Sequence, residues 1–144
     1  MKVLDTDVCV EILRGNPRVL QWRRHTGSGV ATTWITACEL EYGAAKSADP
    51  ERARALVADL LSTLDIVGID RPAARQFGQH KAALRRSGET LADADLMIAA
   101  IALARGAELA TGNIRHFRRF PGLPVEDWIR EPPPESATRG DTRS

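Results

Sequence analysis

The chain has 144 residues, enough for one cored domain with a tail and too few for two independently cored units. About 43% of the residues are apolar and 27% charged, which excludes a wholly disordered or fibrous chain. Twenty basic and 19 acidic side chains leave a net charge of +1, which excludes indiscriminate nucleic-acid binding through bulk positive charge, so any nucleic-acid role must be built locally.

Val3 and Leu4 predict a short strand ending at Asp5, followed by a helix from about Val8 to Leu13 that Gly15 stops. Asn16-Pro17 reads as an N-cap with proline in the first turn, opening a helix through about Arg24. Val30 to Ile35 is rich in β-branched residues and predicts a second strand, and Thr36 to Lys46 a helix. Asp49-Pro50 starts another helix, with Ala53, Leu56, Val57, Leu60, Leu61 and Leu64 on one face. Ile66 to Ile69 predicts a strand, and Asp70-Arg71-Pro72 leads into a helix bearing Ala73, Phe77 and Leu84 before Gly88. Asp93 to Arg105 is apolar nearly all round and predicts a buried helix, stopped by Gly106. Glu108 to Thr111 predicts a strand, Asn113 to Phe120 a helical turn and Leu123 to Trp128 a last strand. From Pro132 onward the chain lacks the apolar residues to order itself, so residues 1–130 are expected to form the domain and 131–144 a disordered tail.

Short apolar strands alternating with amphipathic helices imply an α/β fold with a parallel sheet covered on both faces. Cys9 and Cys38 lack metal-type spacing and are expected to be free thiols in a reducing cytosol. Asp5, Asp7 and Glu11 stand where a signal peptide needs its apolar stretch, and the run Leu96 to Ala104 is too short to span a bilayer. A soluble, cytoplasmic protein with no membrane association is expected. Of the basic residues, 17 are Arg and only Lys2, Lys46 and Lys81 are Lys, a balance that favours bidentate contacts to carboxylate or phosphate.

In such folds ligands bind beyond the carboxyl ends of the strands. Asp5 ends the first predicted strand, Glu39 lies in the first turn after the second, Asp95 sits in the first turn of the buried helix, and Asn113 follows the strand Glu108 to Thr111. Three carboxylates in one cleft repel unless something positive is bound among them. Oxygen donors without His or Cys at ligand spacing point to a hard cation, Mg²⁺ or Mn²⁺. A carboxylate-held Mg²⁺ suits polarisation of a phosphoryl oxygen and activation of water, which makes phosphodiester hydrolysis the natural chemistry. Structural alternatives stand beside each residue. Thr36-Ala-Cys-Glu39 is a capping box in which Glu39 only returns a hydrogen bond to Thr36. Asp93 and Asp7 read as N-caps, and Asn113 as a turn residue. Asp95, on a helix buried on all sides, is the hardest to explain structurally.

The same residues carry a resemblance. Val3-Leu4-Asp5-Thr6-Asp7, Thr36-Ala-Cys-Glu39-Leu40-Glu-Tyr-Gly43 and Ala92-Asp-Ala-Asp95-Leu-Met-Ile-Ala-Ala100 occur in order. Leu109-Ala-Thr111-Gly-Asn113-Ile-Arg-His-Phe117 and Phe120-Pro-Gly-Leu123-Pro-Val-Glu-Asp-Trp128 complete the set. Together they span residues 3–128, and the chain resembles the PIN-domain nucleases, within them the VapC-type toxins of bacterial toxin-antitoxin pairs. The resemblance implies a three-layer α/β/α sandwich around a mostly parallel sheet. It implies a Mg²⁺-dependent endoribonuclease acting on structured RNA, tRNA or rRNA, that forms a homodimer and is neutralised by a VapB-type antitoxin. By position, Asp5 and Asp95 would be the metal ligands, Glu39 would complete the acidic centre, and Asn113 stands where many relatives carry a fourth acid. Thr111 would support the site through its hydroxyl, while Asp93 has no counterpart in the family and stays a helix cap able to lend an outer oxygen. At least one of Arg115, His116, Arg118 and Arg119 is expected to meet RNA phosphates, the alternative being a solvated surface turn. The group Arg14, Arg18, Arg23, Arg24 and His25 would serve RNA or the antitoxin.

Two rivals remain at this point. Asp5-Thr-Asp7 after a strand also looks like the aspartyl nucleophile of haloacid-dehalogenase-type phosphatases, which needs a lysine near Asp5, with Lys46 and Lys81 the candidates. The second is a catalytically inactive PIN-like binding module.

Overall fold

A computed structural model describes residues 1–135; the expected tail beyond Glu135 lies outside the described residues. The elements run β1 (Lys2–Leu4), α1 (Thr6–Leu13), α2 (Pro17–Thr26), β2 (Val30–Thr33), α3 (Trp34–Ala45), α4 (Pro50–Leu61) and β3 (Asp65–Val67). They continue with α5 (Arg71–Arg86), α6 (Asp93–Ala104), β4 (Glu108–Thr111), α7 (Ile114–Phe117) and β5 (Val125–Asp127). The helix starts follow their local chemistry. Asn16 Oδ1 accepts from the Arg18 and Val19 amides, Asp49 Oδ1 from Arg52, and Asp70 Oδ1 from Ala73, each beside a proline in the first turn.

The five strands form one sheet in the order β3-β2-β1-β4-β5, and every pairing is parallel. Alternate side chains of β1 and β4 enter different layers, as the period of a strand requires. Leu4 and Ala110 join Val8, Val19, Leu40, Val57 and Leu60 in a core under α1 to α4. Val3 and Leu109 join Leu96, Ile98, Ala99, Phe117 and Phe120 in a second core under α5 to α7. The result is the three-layer α/β/α sandwich. The chain runs outward through β2 and β3 on one side of β1, then crosses to β4 on the other, so the strand order reverses between β1 and β4. A crevice at the carboxyl ends of that pair is where such folds bind ligands.

Several boundaries differ from expectation. Strand β2 ends at Thr33, not Ile35, because Thr33 Oγ1 accepts the Thr36 amide at 3.0 Å and starts α3 two residues early. Helix α1 starts at Thr6 because Asp5, not Asp7, is its cap. Strand β3 covers Asp65–Val67, and Ile69 is exposed beyond it. Leu56, expected on the buried face of α4, is also exposed. The N-cap of α6 is Ala92, whereas the Asp93 side chain turns outward to Lys81 at 3.0 Å. No helix among the described residues is long and apolar enough to cross a membrane.

Candidate active site

Asp5 stands directly beyond β1. Its backbone N–H donates to Ala110 O at 3.0 Å, which ties it to β4, and its Oδ1 accepts the Val8 amide at 2.9 Å, which makes it the N-cap of α1. The carboxyl group is held from both sides and is only 4% exposed. Burial pushes its pKa from 3.8 up to about 7; the Thr111 hydroxyl and the Val8 amide oppose the rise, and the charges of Asp7 and Asp95 add to it.

Asp95 comes from the first turn of α6, half-buried. Its pKa is raised, first by burial and then by the charges of Glu39 and Asp7, while His116 acts in the opposite direction. The charges felt at Asp5 and Asp95 tie Asp5, just beyond β1, to Asp7 of α1, Glu39 of α3 and Asp95 of α6 as one acidic patch. Asp7 was read from the sequence as a cap only; its exposed carboxylate instead adds charge to both buried acids.

Glu39 does not close a capping box, since Thr36 lies inside α3 and Thr33 is the cap. A chain of hydroxyls holds it. Thr33 Oγ1 donates to Thr36 Oγ1 at 3.4 Å, Thr36 lies 3.1 Å from Thr6 Oγ1, and Thr6 donates to Glu39 Oε1 at 2.5 Å. Each hydroxyl supplies one proton, so the chain runs in one direction, toward the carboxylate. Thr33 and Thr36 are fully buried, and Glu39 is exposed. Sequence reasoning missed Thr6, Thr33 and Thr36 as site residues, because their roles depend on α1 and α3 packing side by side on one face of the sheet.

Thr111 ends β4, fully buried, with its hydroxyl beside Asp5 and accepting the Asn113 amide at 2.8 Å. The Asn113 side chain turns to His116, its amide nitrogen 2.7 Å from the ring Nδ1. His116 thus joins the site through Asn113 and Asp95. Of the arginines, Arg119 is paired with Glu89 at 3.2 Å, Arg118 lines a cleft with Trp22, Ile114 and Glu131, and Arg115 is exposed on α7. Asp93, paired with Lys81, is not brought into the centre.

The donors are carboxylate, hydroxyl and amide oxygens. Cys9 packs in the core toward Thr32 and Cys38 is exposed, both free. Such a set fits Mg²⁺ or Mn²⁺ better than a soft metal. No three acidic, His or Cys side chains among the described residues are already drawn into a ligand cage. Burial and then neighbouring negative charge disfavour ionisation of Asp5 and Asp95, a condition that a divalent cation would relieve. The phosphatase alternative requires a lysine at Asp5, but Lys46 lies over Tyr42 at the end of α3 and Lys81 pairs with Asp93.

Residues 2–123 match the family model described as PIN domain. The protein named tRNA(fMet)-specific endonuclease VapC from Salmonella typhimurium is 39% identical over 127 residues, covering 88% of this chain and 96% of the relative. Ribonuclease VapC2 from Haemophilus influenzae is 35% identical over 128 residues, covering 88% and 97%. Among solved structures, DNA-bound VapBC from Salmonella typhimurium matches with a TM-score of 0.83 and 38% identity, covering 88% of this chain and 97% of that one. VapBC2 from Rickettsia felis, bound to a DNA fragment from its promoter, gives a TM-score of 0.83 at 28% identity, covering 88% and 98%.

Proposed function

The chain belongs to the PIN-domain family and within it to the VapC-type ribonucleases, and from that premise we propose that it is a Mg²⁺-dependent endoribonuclease toxin that cleaves structured RNA in the cytoplasm and is silenced by a VapB-type antitoxin. The observation that carries this reading is the convergence of Asp5, Glu39 and Asp95 from three elements at the β1/β4 crevice, with the Asp5 pKa pushed up to about 7.

Asp5 and Asp95 would hold Mg²⁺, or Mn²⁺ in its place, which when bound supplies Lewis-acid polarisation of a phosphoryl oxygen and lowers the pKa of water. Glu39, aimed by the threonine chain, accepts a proton from the water that attacks phosphorus in line. Thr111 keeps the Asp5 carboxylate in place, and Asn113 holds the His116 ring, which would donate to a phosphate oxygen. Arg115, exposed and without an ion-pair partner among the described residues, would meet the next phosphate, Arg118 lies at a cleft on the same loop, and Arg119 would have to leave Glu89 to do so. The expected products carry a 5′-phosphate. The name of the Salmonella relative makes tRNA(fMet) the first substrate to test.

An apolar groove between α1, α3 and α4, lined by Val10, Leu13, Leu40, Leu56 and Val57, reaches Glu39 and supports occupation by an antitoxin segment. The exposed Trp34 and Ile69 offer apolar surface for a homodimer. Mapping 5′ ends in total RNA after brief expression of the wild type and of Asp5→Asn tests the function. Ends found only with the wild type support it and name the target. Identical end profiles contradict it.

A further inference from the structure

The segment after β5 folds back over the loop that carries Asn113. The Trp128 backbone N–H donates to Thr111 O at 3.1 Å, and Arg130 Nη1 donates to Gly112 O at 2.5 Å. Ile129 lies against Gly112 so closely that a Cβ at that position would stand 2.3 Å from Ile129 Cδ1 and 3.2 Å from its Cβ, so any larger residue there would push the Ile129 side chain aside. Asp127 shapes the turn. Its Oδ1 accepts the amides of Ile129 at 3.0 Å and Arg130 at 2.8 Å, and its Oδ2 lies 3.7 Å from the Arg130 guanidinium. The segment is itself anchored: Trp128 is fully buried and stacks on Trp22, with ring centroids 5.4 Å apart and planes within 10°. Trp22 Nε1 donates to Glu131 O at 2.7 Å, and the Arg18 guanidinium donates to Arg130 O.

Both carbonyls at the end of β4 are therefore held from the C-terminal side. The same short stretch presents the Thr111 hydroxyl to Asp5, supports the Asn113 amide on that hydroxyl, and sends the Asn113 side chain to His116. A displacement of Gly112 would move all three.

We propose that the Asp127 to Arg130 turn is a positioning element for the site loop, with Ile129 and Arg130 fixing where Thr111 and Asn113 stand relative to Asp5 and His116. The proposal rests on the ribonuclease reading of that site. Its competitor is direct phosphate binding by Arg130, whose side chain is 71% exposed.

The test compares full-length wild type, Arg130→Ala and Arg130→Lys by thermal unfolding, by amide hydrogen exchange over residues 112–118 without RNA, and by kcat and KM on RNA. Lysine keeps the charge and one donor for the Gly112 carbonyl. Because the side chain is exposed, Arg130→Ala is expected to fold with nearly the wild-type Tm. Its loop amides are expected to exchange at least about fivefold faster. Its kcat is expected to fall on the order of tenfold with KM within about twofold, as for a group displaced by a fraction of an ångström. Arg130→Lys restores exchange and kcat. Unchanged exchange in Arg130→Ala overturns the proposal, and so does a loss carried by KM, which would make Arg130 a phosphate contact. If the wild type cleaves no RNA, the ribonuclease reading fails, while the exchange comparison still decides the positioning role.

Discussion

Asp5→Asn is expected to stabilise the metal-free protein while removing its activity. The wild-type carboxyl has a pKa of about 7 in the fold against 3.8 as its ordinary value, because it is buried. Between those values the folded state holds a proton that the unfolded state has released, so unfolding free energy falls as pH rises through this window and levels off above about pH 7. At about 1.4 kcal/mol per pH unit, a rise from 3.8 to about 7 costs the fold about 4 kcal/mol. Asparagine carries no charge to desolvate and caps a helix as well as aspartate does, so the bond from the Val8 amide survives. In EDTA at pH 7.5, Asp5→Asn is therefore expected to melt higher by about 10 °C for a chain of this size. Near pH 4 the two proteins should converge. Chemical denaturation from pH 4 to pH 8 reads the effect directly. A variant less stable than wild type at pH 7.5, or a difference independent of pH, would refute the claim that the buried carboxylate is held at a cost to the fold.

Thr6→Val removes the donor to Glu39 Oε1 and should lower kcat on the order of tenfold with KM little changed, as steady-state kinetics on a cleavable RNA would show. Thr6→Ser, which keeps the hydroxyl, should recover most of that loss. Trp128→Ala removes a fully buried ring stacked on Trp22 and should cost about 3–5 kcal/mol of stability by urea titration. Glu39→Gln should leave stability within about 0.5 kcal/mol, since the side chain is exposed and caps nothing, while abolishing cleavage.

The alternation of strands and helices was legible because its signals are local. Asn16-Pro17, Asp49-Pro50 and Asp70-Arg71-Pro72 each carry their capping chemistry within four residues. The buried helix α6 announced itself by the absence of a polar face, and its burial made Asp95 conspicuous. Errors arose where two neighbours compete for one role. Asp5 and Asp7 both suit a cap, and only the bond from the Asp5 amide to Ala110, a residue far along the chain, decides between them. Trp34 and Ile35 extend the apolar run of β2, yet Thr33 turns the chain into a helix before them. Asp93 prefers Lys81, on a different helix, to the amides of its own. The hydroxyl chain to Glu39 and the hold of Arg130 on Gly112 join residues about 30 and 18 positions apart, and no spacing rule reports such contacts.

The central claim is that Asp5 and Asp95 form a divalent-cation centre for RNA hydrolysis. Purified wild-type protein, free of any partner, should cut tRNA in Mg²⁺ and leave 5′-phosphate ends. It should lose that activity in excess EDTA and regain it with added Mg²⁺ or Mn²⁺, while Asp95→Asn stays folded and inactive throughout. Cleavage that persists in EDTA, or that survives in Asp95→Asn at the wild-type rate, would contradict the account.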